Sequence, residues 1–434
     1  MNSKFTFIDL FAGIGGFRIA LERCGGKCLG FSEIEPKAIE TYKENFIKKN
    51  DNEWELGDIQ KINKLPTPVD VIVGGVPCQS WSVAGKMRGF EDPRGKLWHD
   101  AIRLVKLNRP KVFVFENVKG LADPRNKENL NLIVNSFKEL GYTIPTPQLL
   151  NSYDFGLPQN RERIFIVGFN NDVISDLNFS YPKKRNIEFR LSDFLDGLEQ
   201  KTVIKKKINP KELFDGKIPL SRNKFQVNDE LNDFFVFCDA RNGHSTIHSW
   251  DLIPTSNREK EICYAIMRNR RKKVYGEKDG NPLGFKDIDD LVSNLKKEEL
   301  EGLVLKRILR KVEGGKFDLV NSKNSSGING IYRVFLPNSK IFSTITATGT
   351  RDHVATVTIS GRTPEEYRRN FIKKVYEKGN FRQITPREAG LLQGFGHNFK
   401  LNRQDRISLK QFGNAVSVNV VYALMESIIK TGIF

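Results

Sequence analysis

Up to about residue 180, apolar positions form short β-branched or aromatic runs separated by stretches with helical spacing. The run FTFIDLF (5–11) is expected as a strand, AGIGGF (12–17) as a glycine-rich turn, and 18–24 as a helix stopped at Gly25 and Gly26. Residues 27–32 read as a second strand ending in Glu33, and 36–46 as a helix. A third strand is expected over 53–59, ending at Asp58, and a fourth over Val69–Val73, closed by Gly74 and Gly75. Helices over 97–107 and 131–140 alternate with a strand over 111–115, and strands over 148–152 and 163–169 complete the set. Strand–helix alternation of this kind builds a mostly parallel sheet of the α/β class.

From about residue 182 the texture changes. Lysines multiply, the alternation stops, and aromatic-rich runs such as FQVNDELNDFFVF appear. A helical stretch is expected from about 287 to 311. Further on, TPREAGLLQGF (385–395) opens with Thr-Pro and places Glu388 at capping-box spacing from Thr385, a helix start. QFGNAVSVNVVYALMESIIK then gives a loop at Gly413 and Asn414 followed by an amphipathic helix. That helix has no strand of its own and must pack back on the first domain's sheet. The expected division is a first domain over 1–185, completed by 405–434, and a second domain with its hinge over 186–404.

Composition narrows the picture. A chain of 434 residues suits two domains, or one with a large insertion. No apolar run is long enough to span a bilayer, and the N-terminus enters a strand without a signal-peptide layout. Five cysteines, odd in number and unevenly spaced, point to reduced thiols in a cytosol rather than a disulfide framework. The net charge of +18 is lopsided: residues 1–180 carry +2, 181–345 carry +9 and 346–434 carry +7. A basic surface confined to part of the chain fits a polyanion, nucleic acid first, with a lysine-rich solubilising surface as the alternative.

Candidate chemistry gathers in VDVIVGGVPCQSWSVAGK (69–86), where rigid Pro77 presents Cys78 just beyond a buried strand, the edge at which open α/β sheets hold their ligands. A nucleophile is one reading; a small buried hydrophobe is the other. Gly13, Gly15 and Gly16, with Glu33 some 20 residues on, have the layout of a nucleoside crevice. Arg18 stands where a dinucleotide fingerprint needs its third glycine, and no P-loop is present, so a nucleoside without phosphates, S-adenosylmethionine, fits best, with a glycine turn that only packs a helix on a sheet as the alternative. Glu33 would take the two ribose hydroxyls and Asp58 the adenine amino group. The long loop over 79–96, with Lys86, Arg88 and Arg94, reads as a cationic lid or a solvated surface loop. Glu116, at a strand end beside the Cys78 strand, is a candidate acid or base. Arg161 and Arg163 are expected to diverge, one entering the site and one meeting a phosphate. Arg268–Lys273 (RNRRKK) is the densest basic cluster. Cys238, His244, His248 and Cys263 match no zinc spacing, and no metal site is expected.

Taken in order, DLFAGIGGF (9–17), Glu33, GDI (57–59), PCQ (77–79), ENV (116–118), QNRER (159–163), TPREAGLLQGF (385–395) and GNAV (413–416) resemble the bacterial DNA (cytosine-5)-methyltransferase family. The resemblance covers about 5–180 and 383–430; 186–345 would be the family's variable region. It implies a Rossmann-like S-adenosylmethionine-dependent methyltransferase sheet with helices on both faces, plus a smaller variable target-recognition domain. Cys78 would be the nucleophile, Glu116 the group at cytosine N3, and Arg163 the group on the base's O2, supported by Arg161. The cofactor contacts would be Phe11, Glu33, Asp58 and Asn414 with the backbone of Gly13, Gly15 and Gly16, joined by Ile34, Ile59, Pro77, Leu97 and Ala415. Gln79, Ser82, Lys86, Arg88 and Arg94 would close on a flipped nucleotide, and Arg268, Arg270 and Arg271 would meet phosphates. The implied partners are double-stranded DNA and, functionally, a restriction endonuclease, for a monomer in the bacterial cytoplasm. A tRNA-methylating branch is disfavoured because Cys238 and Cys263 precede Asp and Tyr rather than Phe-Thr. A non-catalytic DNA-binding protein on the same fold is disfavoured by the intact Cys78, Glu116 and Arg163.

Overall fold

Strand β1 (Phe5–Leu10) is the hub of an eight-stranded sheet. The computed structural model describes residues 3–48, 52–77, 97–174, 176–185, 187–198, 235–237, 246–278, 280–320, 331, 333–349, 352–361 and 364–434. In chain order the first unit continues with α1 (Gly16–Arg23), β2 (Gly26–Ser32), α2 (Pro36–Phe46), β3 (Trp54–Glu55), β4 (Val71–Gly75), α3 (Leu97–Asn108) and β5 (Val112–Val118). Then come α4 (Lys127–Glu139), β6 (Tyr142–Thr143), β7 (Gln148–Asn151), β8 (Glu162–Asn170), α5 (Pro386–Leu392), α6 (Asp405–Asn414) and α7 (Val418–Ile429).

The strand order is β3-β2-β1-β4-β5-β8-β6, with β7 also on β8. Strands β1 to β5 pair in parallel, and β8 runs antiparallel to β5. Chain order reverses between β1 and β4, so their carboxyl ends form the crevice in which such sheets bind ligands. Alternation assigns the two faces. Ile8, Leu10, Ile72, Phe113 and Phe115 pack with Trp98, Leu104 and Val105 of α3 and Ile133 and Phe137 of α4. On the other face, Phe5 stacks on Phe434 at 4.7 Å, and α1 packs along α7. There too Phe31 stacks on Tyr42 of α2, whose hydroxyl meets Arg18 of α1. Helices therefore cover both faces.

Several expected elements shift. The third strand is only Trp54–Glu55; Asp58 instead caps a single 3-10 turn, its Oδ1 accepting from Gln60 N at 3.0 Å. Gly74 and Gly75 lie inside β4 rather than beyond it. Gly413 and Asn414 end α6 rather than forming a loop, and the break falls at 415–417. The stretch 287–311 divides into helices Phe285–Asp289 and Lys297–Leu305 and the strand Leu309–Val312. Asp405–Ile429 is long and apolar enough to cross a membrane, but most of its apolar side chains are buried in this unit, as in a core helix.

The chain forms two compact units: Met1–Phe189 with Ser343–Gly349 and Thr385–Phe434, and Arg190–Phe342 with Thr350–Ile384. The chain joins the first unit over Ser343–Gly349 and rejoins it to the end from Thr385, ahead of the expected 405, because α5 buries Ala389, Leu391 and Leu392 and packs on α6. Thr385 does start α5 as its spacing requires, accepting from Glu388 N while Glu388 accepts from Thr385 N. In the second unit a five-stranded sheet (Thr246–Ile247, Phe235–Phe237, Arg333–Phe335, Asp352–Ala355, Phe381–Arg382) carries one core. Helix Asn257–Asn269 and its neighbours enclose another, around Trp250, Ile262 and Leu300.

Candidate active site

Antiparallel pairing of β5 with β8 sets Val118 opposite Arg163. Residues two apart on a strand share a face, so Glu116 and Arg163 are diagonal neighbours. They meet, Arg163 Nε lying 3.0 Å from Glu116 Oε1. Glu116 is 8% exposed. Burial pushes its carboxyl above the ordinary value, while Arg163 and then Arg161 pull it back. A carboxyl raised in this way can hold a proton and donate it.

Gly75 is the register partner of Glu116, so the end of β4 runs beside the carboxylate. Asn117, on the other face of β5, is buried, and its Nδ2 donates to Val76 O at 3.1 Å. That bond fixes the backbone one residue ahead of Pro77. Sequence reading gave Asn117 no role; its place in ENV next to the acid is the one signal it offers. Cys78, Gln79, Ser82, Lys86, Arg88 and Arg94 lie outside the described residues. Burial pushes the Cys24 thiol up to about 11 and that of Cys28 up to about 12, and Cys263 is buried as well. Neither Cys24 nor Cys28 is a ready thiolate.

At the other end of the crevice, Glu33 closes the glycine turn. Its Oε2 accepts from Gly13 N at 2.8 Å, and its Oε1 accepts from Ile34 N and Glu35 N at 2.7 and 2.9 Å. A carboxylate offers about four acceptor positions, so one remains, on Oε2. Phe11, Gly13 and Gly15 all take the left-handed conformation, at φ 55, 56 and 84°. For Gly15 the glycine is obligatory, since a Cβ would come within 2.3 Å of the Phe46 ring. At Gly13 the same position is open. Ile34 is 70% exposed beside Glu33, an unusual setting for an isoleucine. Ile59 differs from expectation: its side chain belongs to the core, leaving only its backbone to a ligand. Leu97 starts α3 against that core, Pro77 is half-buried after β4, and Ala415 is buried beside exposed Asn414.

Asp9, on β1 behind the glycine turn, is wholly buried, and burial pushes its carboxyl well up, partly offset by Arg18. Arg18 itself pairs with Glu53 at 2.6 Å and Glu22 at 2.8 Å. This arginine, noticed at first only as a missing glycine, ties α1 to the segment leading into β3.

The two arginines of QNRER diverge, though not as expected. Arg163 enters the site. Arg161 precedes β8 and so escapes its alternation; it is buried and donates to the carbonyls of Ile345, Gly413 and Ala415. A buried guanidinium bonded to three carbonyls does not meet a phosphate. Arg270 is corrected on the same ground: it is 4% exposed and lies 3.5 Å from Asp318. Arg268, over the Tyr264 ring, and Arg271 are both exposed.

Five parallel strands followed by an antiparallel one make this the sheet of the Rossmann-like methyltransferases. Two solved structures share the fold over nearly the whole chain. A DNA modification methyltransferase encoded within an E. coli prophage superposes with TM-score 0.53 at 21% identity, covering 98% of this chain and 99% of that one. The Entamoeba histolytica methyltransferase EhMeth gives 0.54 at 16%, covering 99% of each. Sequence similarity goes further. Type II methyltransferase M.HgiBI of Herpetosiphon aurantiacus is 48% identical over 98% of this chain and 97% of its own length. Type II methyltransferase M.HpaII of Haemophilus parainfluenzae is 31% identical over 99% and 90%. The profile of the C-5 cytosine-specific DNA methylase family matches residues 5–430, and the chain belongs to that family. It is a DNA (cytosine-5-)-methyltransferase.

Proposed function

We propose that the protein methylates carbon 5 of cytosine in a specific sequence of double-stranded DNA, through a transient bond from Cys78 to carbon 6 of a base swung out of the helix. The observation that carries this reading is the Glu116–Arg163 pair at 3.0 Å, one strand over from the β4 end that leads into Pro77.

Carbon 5 of cytosine is a poor nucleophile. A thiolate from Cys78 adding at carbon 6, with a proton from Glu116 to N3, leaves carbon 5 enamine-like. Arg163 holds Glu116 in place and reaches the base's O2. Carbon 5 so activated would take up the methyl group that bound S-adenosylmethionine supplies. Removal of the carbon 5 proton by a base, with the N3 proton returned to Glu116, then lets the Cys78 thiolate leave and restores the ring. Carbon 6 is unreachable within a stacked duplex, so extrusion, at a cost of a few kcal/mol, precedes the chemistry.

The residues at the glycine turn fit S-adenosylmethionine, which when bound supplies a methyl group on a positively charged sulfur. Exposed Ile34 offers an apolar face to adenine, the open side of Gly13 lets a ligand approach the backbone, and Glu33 Oε2 has room for one ribose hydroxyl. Both ribose hydroxyls on Glu33 would exceed its remaining acceptor capacity. Asp58, Phe11 and Asn414 complete the proposed contacts.

The second unit, with the basic remainder of the chain, is the target-recognition part in this reading, with Arg268 and Arg271 on phosphates. Near full-length similarity to proteins named Type II methyltransferases supports a restriction-modification role with a partner endonuclease, in a bacterial cytoplasm.

Two measurements test the proposal. Cys78→Ser should cut turnover by roughly 10⁴-fold or more in a tritiated-methyl assay. Duplex DNA carrying 5-fluorocytosine should be trapped on the parent chain as an adduct stable to denaturation. Normal turnover by the serine variant, or no adduct, removes Cys78 from the mechanism.

A further inference from the structure

Arg161 holds a position that its place in QNRER does not announce. Its Nη1 donates to Ile345 O at 3.0 Å, and its Nη2 to Gly413 O at 3.2 Å and Ala415 O at 2.8 Å. The last two carbonyls flank Asn414. They also stand at the C-terminal end of α6, where carbonyls lack helical partners and the helix dipole is negative. A buried cation gripping both sides of one residue fixes that residue's backbone. Asn414 is exposed between buried Gly413 and Ala415, so its side chain projects from a clamped support.

The other wall of the clamp is equally tight. Gly413 lies against the 346–347 peptide so closely that a Cβ would come within 2.3 Å of the Thr346 carbonyl carbon. Gln159, wholly buried, accepts from Ile345 N at 3.2 Å and donates to Leu392 O at 2.8 Å. Residue 345 is thereby held at its N–H by Gln159 and at its carbonyl by Arg161. Two residues along, the same chain delivers Arg163 to Glu116.

We infer that Arg161 is a positioning residue for the methyl-donor end of the site, acting through Asn414 and not on the cytosine. This rests on the proposed contact between Asn414 and S-adenosylmethionine. A planar guanidinium can serve three carbonyls from two chain segments, whereas a lysine ammonium is a compact point donor that cannot span them.

The test is equilibrium binding of S-adenosylhomocysteine, the demethylated donor, to the full chain without DNA, alongside steady-state kinetics. Arg161→Lys should weaken that binding and raise the donor KM by about tenfold or more, the loss expected when charge-assisted hydrogen bonds go. At saturating donor, kcat should fall far less than the donor KM rises. Asn414→Ala should weaken binding comparably, and the double variant should be no weaker than Asn414→Ala alone, since both act through one side chain. A fall in kcat with donor binding intact overturns the inference and returns Arg161 to the base. Donor binding weakened by Asn414→Ala but untouched by Arg161→Lys also overturns it, leaving the Asn414 contact standing. Binding weakened by Arg161→Lys but not by Asn414→Ala sinks the Asn414 contact itself, and the inference with it. Arg161→Gln, which drops the charge, is the second variant should the lysine form fold poorly, and normal donor binding by its folded fraction counts against the inference.

Discussion

In the first unit Glu116 and Arg163 meet at the carboxyl ends of neighbouring strands, beside the backbone that leads to Pro77. In the second, Asp318 receives Arg310 at 2.8 Å and Arg270 at 3.5 Å, on a strand whose Phe317 and Leu319 belong to a packed apolar cluster. Both are carboxylate–guanidinium groups with a buried carboxylate, one a glutamate with a single arginine and the other an aspartate with two. Their settings differ. Glu116 lies at a sheet edge where a ligand is expected, and its raised carboxyl can exchange a proton. Asp318 lies between Arg270 and Arg310 beside a packed apolar cluster, where its charge offsets theirs. A buried ion pair by itself therefore says little about chemistry; its place in the sheet topology does.

The largest effect that would sharpen the contrast is on Glu116→Gln, which should lower turnover by roughly 10²–10⁴-fold. Its pH behaviour follows from the raised carboxyl. The protonated form is favoured in the folded state, so this group's stabilisation is complete below the ordinary value of 4.5 and is lost as pH rises through the raised one. Glutamine does not ionise, and losing the pair with Arg163 adds an offset that pH does not change. The melting temperature of the variant relative to the parent should therefore climb from about pH 4.5 towards neutrality; a decline would refute the assignment. Asp318→Asn should act on stability instead. Leaving two arginines without their shared anion should cost about 3–5 kcal/mol in denaturant unfolding, with S-adenosylhomocysteine binding by the folded chain unchanged. If donor binding fell first, the distinction between the two pairs would fail.

Smaller effects separate exposed from buried arginines within RNRRKK. Arg268→Ala and Arg271→Ala should each reduce the slope of log binding constant against log salt by about 1. An unchanged slope in both would remove them from the DNA interface. Smallest is Thr385→Ala at the start of α5, expected to cost about 1 kcal/mol of stability through the lost cap. Calorimetry showing no change would mean that Glu388 alone secures that helix start.

Local pattern carried the fold a long way. β-Branched runs marked β1, β4 and β5, the Thr385–Glu388 spacing marked α5, and the glycine turn followed by Glu33 marked the crevice, because strand period, caps and turn chemistry depend on residues a few positions apart. Glu116 was legible for the same reason, as an acid at the end of an apolar run. What the sequence could not decide was which groups meet across the fold. Arg163 reaches Glu116 only through the antiparallel register of β8, and Arg161 closes on carbonyls 184, 252 and 254 residues away. Arg270, indistinguishable in sequence from Arg268 and Arg271, turned inward to Asp318. Periodicity is written locally, whereas the choice between a solvated cation and a buried one belongs to the partner that folding brings to it.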